Sequence, residues 1–186
     1  MNIKLVENFL SEYQCNSMIK MAVNANNWDK TKDEFWNDRV FNDVFNLQTP
    51  IFEKQMRATL NRVRKVISEH YNVSELWNDG FAIVRWFPGM QQAPHTDDMK
   101  SILGDNEDNT CRHRDFGAII YLNDDFDGGE TYYPQHNFSV KPKIGRLAIH
   151  PGDSDHEHGV SEIKDNTRYT LASFWTTNRK YSNENE

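Results

Sequence analysis

A mainly-β domain with flanking helices is what this sequence predicts, its helices packed on one side of a β-sandwich or open barrel. Two observations carry that expectation. Up to about residue 75 the chain holds two stretches of helical apolar spacing. From about residue 80, short runs rich in β-branched and aromatic residues take over, each closed by turn chemistry. No repeat, proline-rich linker or low-complexity stretch divides the chain. One domain over residues 1–186 is therefore expected, with a helical part over about 1–75, a strand-rich core over about 80–177 and a polar tail at 181–186.

The elements follow in order. Residues 3–9 read as a short strand and turn. Ser11-x-x-Gln14 is a capping box that opens a first helix, with apolar positions at Met18, Ile19, Ala22 and Val23. Thr49 can cap a second helix and Pro50 fits its first position. Ile51, Phe52, Met56, Leu60, Val63, Ile67 and Tyr71 then repeat at helical spacing. Residues 29–48, between the helices, are polar and aromatic without a period and read as loop. Strands are predicted over residues 81–87, 116–122, 130–134, 138–140, 146–150, 159–163 and 168–176. Pro88-Gly89, Asp127-Gly128-Gly129, Lys143-Ile144-Gly145, Pro151-Gly152 and Lys164-Asp165-Asn166 supply turns between them.

Composition excludes several classes of protein. The net charge of −7 argues against a nucleic-acid binder, which needs clustered Lys and Arg; Arg112, His113 and Arg114 are too few. No apolar run approaches the ~20 residues that span a bilayer, and the first residues lack the profile of a signal peptide, so neither membrane nor export is expected. Cys15 and Cys111 are two and far apart, which implies neither a disulfide framework nor a thiolate zinc site. A reduced, cytoplasmic setting is the expectation.

His95-Thr96-Asp97 offers an imidazole and a carboxylate two residues apart. In extended chain such residues project to one face, so one metal can meet both. A further imidazole stands in a later segment, at His158 or at neighbouring His156, and Asp98 adjoins Asp97. Two imidazoles and one carboxylate leave three positions open, which suits non-haem Fe(II) that must also bind a co-substrate and O2. The same donors suit zinc.

Further motifs follow these donors in one order: Tyr121-Leu122-Asn123, Gly128-Gly129-Glu130-Thr131, Gly145-Arg146-Leu147-Ala148-Ile149, His158-Gly159-Val160 and Arg168. With His95-Thr96-Asp97 in front, this set resembles the prolyl 4-hydroxylase-like branch of the 2-oxoglutarate/Fe(II) dioxygenases over residues 81–176. The opening Glu7-Asn8-Phe9-Leu10-Ser11 is similar to the start of such domains as well. The resemblance implies a double-stranded β-helix (jelly roll) core with the N-terminal helices packed outside. It selects Asp97 over Asp98 and His158 over His156, so that iron is held by His95, Asp97 and His158. His150 and His156 are left as surface or neighbouring imidazoles.

The same resemblance places Arg168, ten residues after His158, at the C5 carboxylate of 2-oxoglutarate, with the Tyr121 hydroxyl assisting. A guanidinium can grip such a carboxylate with two parallel hydrogen bonds. One departure stands out. Where relatives often carry a tyrosine before His-x-Asp, this chain reads Arg85-Trp86-Phe87-Pro88-Gly89, without a phenolic hydroxyl.

The implied cofactors are Fe(II), 2-oxoglutarate and O2, with ascorbate as an accessory reductant. The implied activity is hydroxylation of an unactivated C–H bond with release of succinate and CO2. Asp97 agrees, because related halogenases carry a small residue there. The implied substrate is a prolyl side chain in a peptide or protein, while the residues themselves leave a small molecule open. Such a peptide would enter between the 29–48 loop and a polar insert at 99–114, where Trp28, Phe35 and Trp36 are candidates to stack on a proline ring. Two other readings compete: a non-catalytic 2-oxoglutarate- and metal-binding module on the same fold, and a zinc hydrolase with Asp98 or Glu157 as its base.

Overall fold

The computed structural model describes residues 2–42 and 50–182. Helix α1 (Glu12–Ala25) starts where the sequence says it should. The Ser11 hydroxyl accepts from the Gln14 N–H at 3.3 Å, and the Gln14 side-chain oxygen accepts from the Ser11 N–H at 3.0 Å. Such a cap contributes ~0.5–2 kcal/mol. Helix α2 (Pro50–Tyr71) begins on a proline, whose missing N–H has no intrahelical partner to lose. The expected cap, Thr49, lies outside the described residues.

Both helices bury one stripe. Cys15, Met18 and Ala22 of α1 and Phe52, Met56, Leu60, Val63 and Ile67 of α2 are buried in one cluster. Each large apolar side chain buried in full stabilises by roughly 1.5–3 kcal/mol, which fixes the helices to the sheet behind them. Two expected members of the stripes face water instead, Val23 at 45% exposure and Ile51 at 85%.

The strands form two antiparallel sheets. The larger runs in the order β1 (Lys4–Val6), β8 (Leu147–Pro151), β5 (Phe116–Tyr121), β10 (Arg168–Thr176), β3 (Trp77–Trp86), β2 (Val40–Phe41). The smaller runs β4 (Gln92–His95), β9 (His158–Val160), β6 (Thr131–Tyr133), β7 (Phe138–Val140). Two sheets facing one another, with helices outside the larger, make the jelly roll that the motifs imply.

Alternation along the larger sheet divides its side chains between two jobs. Ile83, Ala118, Ile120, Leu147, Ile149, Leu171 and Trp175 face the helices. Their neighbours Ala82, Val84, Trp86, Ile119, His150, Arg168, Thr170 and Ala172 face the space between the sheets. A one-residue slip would exchange the two sets, so the apolar backing of the helices is also what fixes the chamber lining.

Strands β7 and β10 occupy the predicted spans, and β1 falls within the predicted strand and turn. Strand β3 starts four residues earlier than expected, through Trp77-Asn78-Asp79-Gly80. There the Asn78 amide donates to the Phe174 carbonyl beside a bulge. Strand β2 interrupts the expected 29–48 loop, of which residues 43–48 lie outside the described set, and β4 was not expected at all. Helix α3 (Lys100–Leu103) gives the 99–114 insert one helical turn. Among the described residues, no helix is long and apolar enough to cross a membrane.

Candidate metal centre and its pocket

Strands β4 and β9 pair with His95 directly opposite His158, which sets the two rings side by side with centroids 4.7 Å apart. Strand β4 ends at His95, so Asp97 reaches the same place from the turn that follows, not by the strand alternation expected from its spacing. Its Oδ1 stands 3.8 Å from His158 Nε2. One ligand atom from each of His95, Asp97 and His158 lies within 4.8 Å of the others. This fits a single ion at about 2.1 Å after small side-chain rotations. Asp98 points elsewhere: it accepts from the Thr96 hydroxyl and from the Lys100 N–H.

Backbone carbonyls set the imidazole tautomers. The Nδ1 atoms of His95 and His158 face the carbonyls of Ala93 at 3.2 Å and His156 at 3.1 Å. Each therefore donates from Nδ1 and turns an Nε2 lone pair to the centre, the usual support of a metal-bound histidine. Protonation favours the same state. Burial, aided by the neighbouring His150, lowers the pKa of His158 to about 4, and burial with His158 lowers that of His95. For Asp97, burial pushes upward, but His158, His150, His95 and Arg114 outweigh it and hold the carboxyl below its ordinary value. Neutral imidazoles and an ionised carboxylate are the forms that bind metal.

His150 is neither a surface residue nor a ligand in this geometry. It is fully buried inside the chamber, with Nδ1 on the Pro151 carbonyl at 3.0 Å and Nε2 facing Asp97 Oδ2 at 3.7 Å. Both of those facing atoms lack a hydrogen-bond partner. Gly117 of β5 is the floor beneath them: a Cβ there would lie 2.0 Å from Asp97 Oδ2 and 2.7 Å from His150 Cε1. Of the two places expected for it, surface or neighbour of the ligands, His150 takes the second, and its alternation with the helix-facing Leu147 and Ile149 marks it as inward. His156 points away from the centre, its Nδ1 held by Asp153 at 2.7 Å.

Across the chamber, Arg168 of β10 is 2% exposed. Its Nε donates to the Gly129 carbonyl at 3.0 Å and its Nη2 approaches Thr131 Oγ1 at 3.5 Å. The Tyr121 hydroxyl meets the same Thr131 oxygen at 2.7 Å. Among the described residues, no carboxylate lies within ion-pair distance of Arg168. Burial lowers its pKa against the pull of Tyr121, and burial raises that of Tyr121 against the pull of Arg168. A buried guanidinium without a counter-ion is a receptor for an anion. Thr131, which joins both groups, appeared in the sequence only as part of a turn motif.

Between the two ends lies a cavity of about 690 Å3 whose walls include Val84, Trp86, Ile119, Val160 and Thr170. That size suits a small organic molecule with room to spare. Trp86 occupies the wall beside Arg168, its ring centroid 5.5 Å from the guanidinium carbon. Phe35 and Trp36 form the mouth together with Met99 and Ile102 of the insert. Fully buried Arg39 ties that mouth to the wall, with its guanidinium carbon 4.0 Å from the Trp86 ring and 4.3 Å from the Phe35 ring, and with Nη1 donating to the Phe35 carbonyl. Trp28, by contrast, is a core residue packed on Phe41, not a wall of the mouth.

Residues 81–176 match the model of the 2OG-Fe(II) oxygenase superfamily, and the chain belongs to that family. Family membership implies Fe(II), 2-oxoglutarate and O2, and the donor set described above fits the metal. Among curated proteins the chain is similar to prolyl 3-hydroxylase 2 of Mus musculus, 26% identical over 211 residues that cover 95% of this chain and 30% of the relative. The chain thus spans under a third of the length of that relative. Prolyl 3-hydroxylase 2 of Homo sapiens is 33% identical over 73 residues, 37% of this chain and 10% of its own length. Among solved structures, a viral collagen prolyl hydroxylase from Paramecium Bursaria Chlorella virus-1 superposes with a TM-score of 0.71 at 16% identity, covering 96% of this chain and 97% of the other. A Pseudomonas putida prolyl-4-hydroxylase gives 0.70 at 15% identity, over 95% and 93% of the two chains.

Proposed function

We propose that this chain is an Fe(II)- and 2-oxoglutarate-dependent hydroxylase acting on a peptidyl proline. One observation carries the reading. His95, Asp97 and His158, within reach of one ion, and Arg168, a buried guanidinium with no counter-ion among the described residues, share one apolar chamber. The names of the relatives, prolyl 3-hydroxylases by sequence and prolyl hydroxylases by structure, support proline as the acceptor. A prolyl hydroxylase of Trichoplax adhaerens described with a peptide fragment, superposing with a TM-score of 0.71 at 14% identity, supports a peptide.

When bound at His95, Asp97 and His158, iron supplies the oxidising chemistry that couples decarboxylation of 2-oxoglutarate to hydroxylation of a C–H bond. The chain does the rest. Arg168 grips the C5 carboxylate with Tyr121 and Thr131 beside it, so the keto-acid end is aimed at the metal. Trp86, Val84, Val160 and Ile119 exclude water from the space between, which strengthens the ionic contact and protects reactive species from side reactions. Phe35 and Trp36 offer ring faces at the mouth, where the acceptor peptide lies across the opening against the insert that follows Asp97. Ascorbate would serve as an accessory reductant for iron held by these residues. A reducing, cytoplasmic setting suits the two free cysteines, Cys15 buried and Cys111 half-buried.

The test is to incubate iron-loaded protein and 2-oxoglutarate with proline-containing peptides, then to compare succinate release with a gain of one oxygen atom on the peptide. Fragmentation locates the oxygen at ring position 3 or 4. Succinate formed only with a free amino acid, sugar or nucleobase overturns the peptidyl-proline assignment and leaves the dioxygenase standing.

A further inference from the structure

Two histidines outside the chamber share an arrangement that the dioxygenase reaction does not use. His136 ends the 3₁₀ turn Pro134–His136 between β6 and β7, and His156 ends the 3₁₀ turn Ser154–His156 between β8 and β9. Their ring centroids are 5.2 Å apart, with 48° between the planes. In both rings Nε2 is buried and has no hydrogen-bond partner. His156 is 8% exposed, and its Nδ1 lies 2.7 Å from Asp153 Oδ1. The carboxylate can only accept, so Nδ1 carries the proton and Nε2 presents the lone pair. This is the carboxylate–histidine support typical of a metal ligand.

The spacing agrees. Two imidazoles that meet one tetrahedral ion at about 2.1 Å have centroids roughly 5 Å apart. The turns are already fastened to one another, because the Gln135 amide donates to the Ser154 carbonyl at 2.9 Å. The Asp153 carboxylate behind His156 places a negative charge beside the pair, which favours a cation. Imidazole donors select zinc, copper, nickel or cobalt over calcium or magnesium.

We propose that His136 and His156 form a second metal site, for Zn2+ or a similar imidazole-preferring divalent cation, with water completing the shell. It is distinct from the iron site but mechanically joined to it. The His156 carbonyl is the acceptor that orients His158 through Nδ1 at 3.1 Å. An ion that pins His156 to His136 therefore also fixes the support of an iron ligand, and it clips the β8–β9 turn to the β6–β7 turn.

The experiment counts zinc. Wild-type protein, His136→Asn, His156→Asn, His158→Ala and the double variant His136→Asn/His158→Ala are equilibrated with Zn2+, and bound metal per chain is measured by elemental analysis. Zinc can enter the iron triad as well, so wild type is expected to hold about two ions, each single variant about one, and the double variant none. Asp153→Asn, which removes only the supporting carboxylate, is expected to weaken the second ion by about 10–100-fold. Co2+ gives an independent readout that does not depend on the folding of any variant. Wild type that already carries Fe(II) in the triad is expected to develop the visible absorption of a second, four-coordinate cobalt site. One zinc per chain in wild type, or His136→Asn holding as much as wild type, overturns the proposal.

Discussion

The two ends of the chamber bury charge by opposite means. At the metal end, Asp97 sits among His95, His150 and His158, groups that adjust their protonation to burial; His158 stays neutral down to about pH 4. At the other end, Arg168 keeps its charge, and among the described residues neutral groups answer it: the Gly129 carbonyl, the Thr131 and Tyr121 hydroxyls and the ring faces of Trp86 and Tyr121. The metal end can therefore settle its own electrostatics before any ligand arrives. The Arg168 end cannot, because a guanidinium has no neutral form within reach, and only an anion relieves it. The two ends should fail in different ways when disturbed.

The largest effect is expected from a change that leaves every ligand in place. In Gly117→Ala the new Cβ would lie 2.0 Å from Asp97 Oδ2, so the carboxylate must leave its position. Disturbing the support of a ligand costs 10–100-fold in metal affinity. Displacing the ligand itself is expected to reach about a hundredfold or more, read by Fe(II) or Mn(II) titration. Affinity within a few-fold of wild type would show that the chamber floor does not set the position of Asp97. The Arg168 end is untouched by this change, so an anion should still protect the protein against unfolding.

Arg168→Ala reverses the pattern. Metal affinity is expected to hold, while 2-oxoglutarate binding falls by about thirtyfold or more, because losing one partner of a desolvated charge pair costs roughly 2–5 kcal/mol. The variant is also expected to be no less stable than wild type without 2-oxoglutarate, since an unrelieved buried charge has been removed. Unchanged 2-oxoglutarate affinity would detach Arg168 from the co-substrate.

The sequence disclosed these two ends unequally. The candidate trio His95, Asp97 and His158 and the candidate anion receptor Arg168 follow local motifs, and alternation in β10 puts Arg168 on the inner face once Leu171 is recognised as core. Strand β4 was hidden because Gln92 and Pro94 lack β-forming character, and its place is fixed by pairing with β9. Arg39 gave no sign of burial: an arginine in a polar loop reads as surface, and only the convergence of Phe35, Trp36 and Trp86 makes a site for it. Likewise Gly117 reads as an ordinary strand glycine until the fold brings Asp97 and His150 over it. What local spacing sets was legible; what distant chain segments set by meeting was not.

Acid should separate the ends without any mutation. The folded pKa of His158, about 4, lies below its ordinary 6.5. The unfolded chain therefore takes up a proton in this window while the folded chain does not. The stability that this group contributes is fully present above pH 6.5 and is lost as pH falls through 4. His95 and His150, also lowered, add in the same direction. Metal-free protein is expected to lose about 1.5 kcal/mol between pH 6.5 and 5 from His158 alone, measured by denaturant unfolding with a chelator present. Arg168 adds nothing to this change, because its proton stays in place throughout. A flat profile over that range would contradict neutral imidazoles at the metal end.

The smallest effect tests how tightly the Arg168 end is specified. The Tyr121 hydroxyl bonds Thr131 Oγ1 at 2.7 Å, and that same oxygen is 3.5 Å from Arg168 Nη2, so the three groups share one hydrogen-bonding position. Tyr121→Phe removes a hydroxyl that also reaches Arg168, and Thr131 can turn fully to Arg168 or to an incoming carboxylate in its place. A hydrogen bond to a charged group is worth roughly 1.5–3 kcal/mol, and this compensation returns part of it, so the expected net loss is about 1 kcal/mol, near fivefold in 2-oxoglutarate affinity. In Tyr121→Phe/Thr131→Val no hydroxyl remains to answer the carboxylate beside Arg168, and the loss is expected to exceed the sum of the single changes. Strict additivity in that double-mutant cycle would mean that tyrosine and threonine act on the ligand separately and not through one shared hydrogen-bonding position.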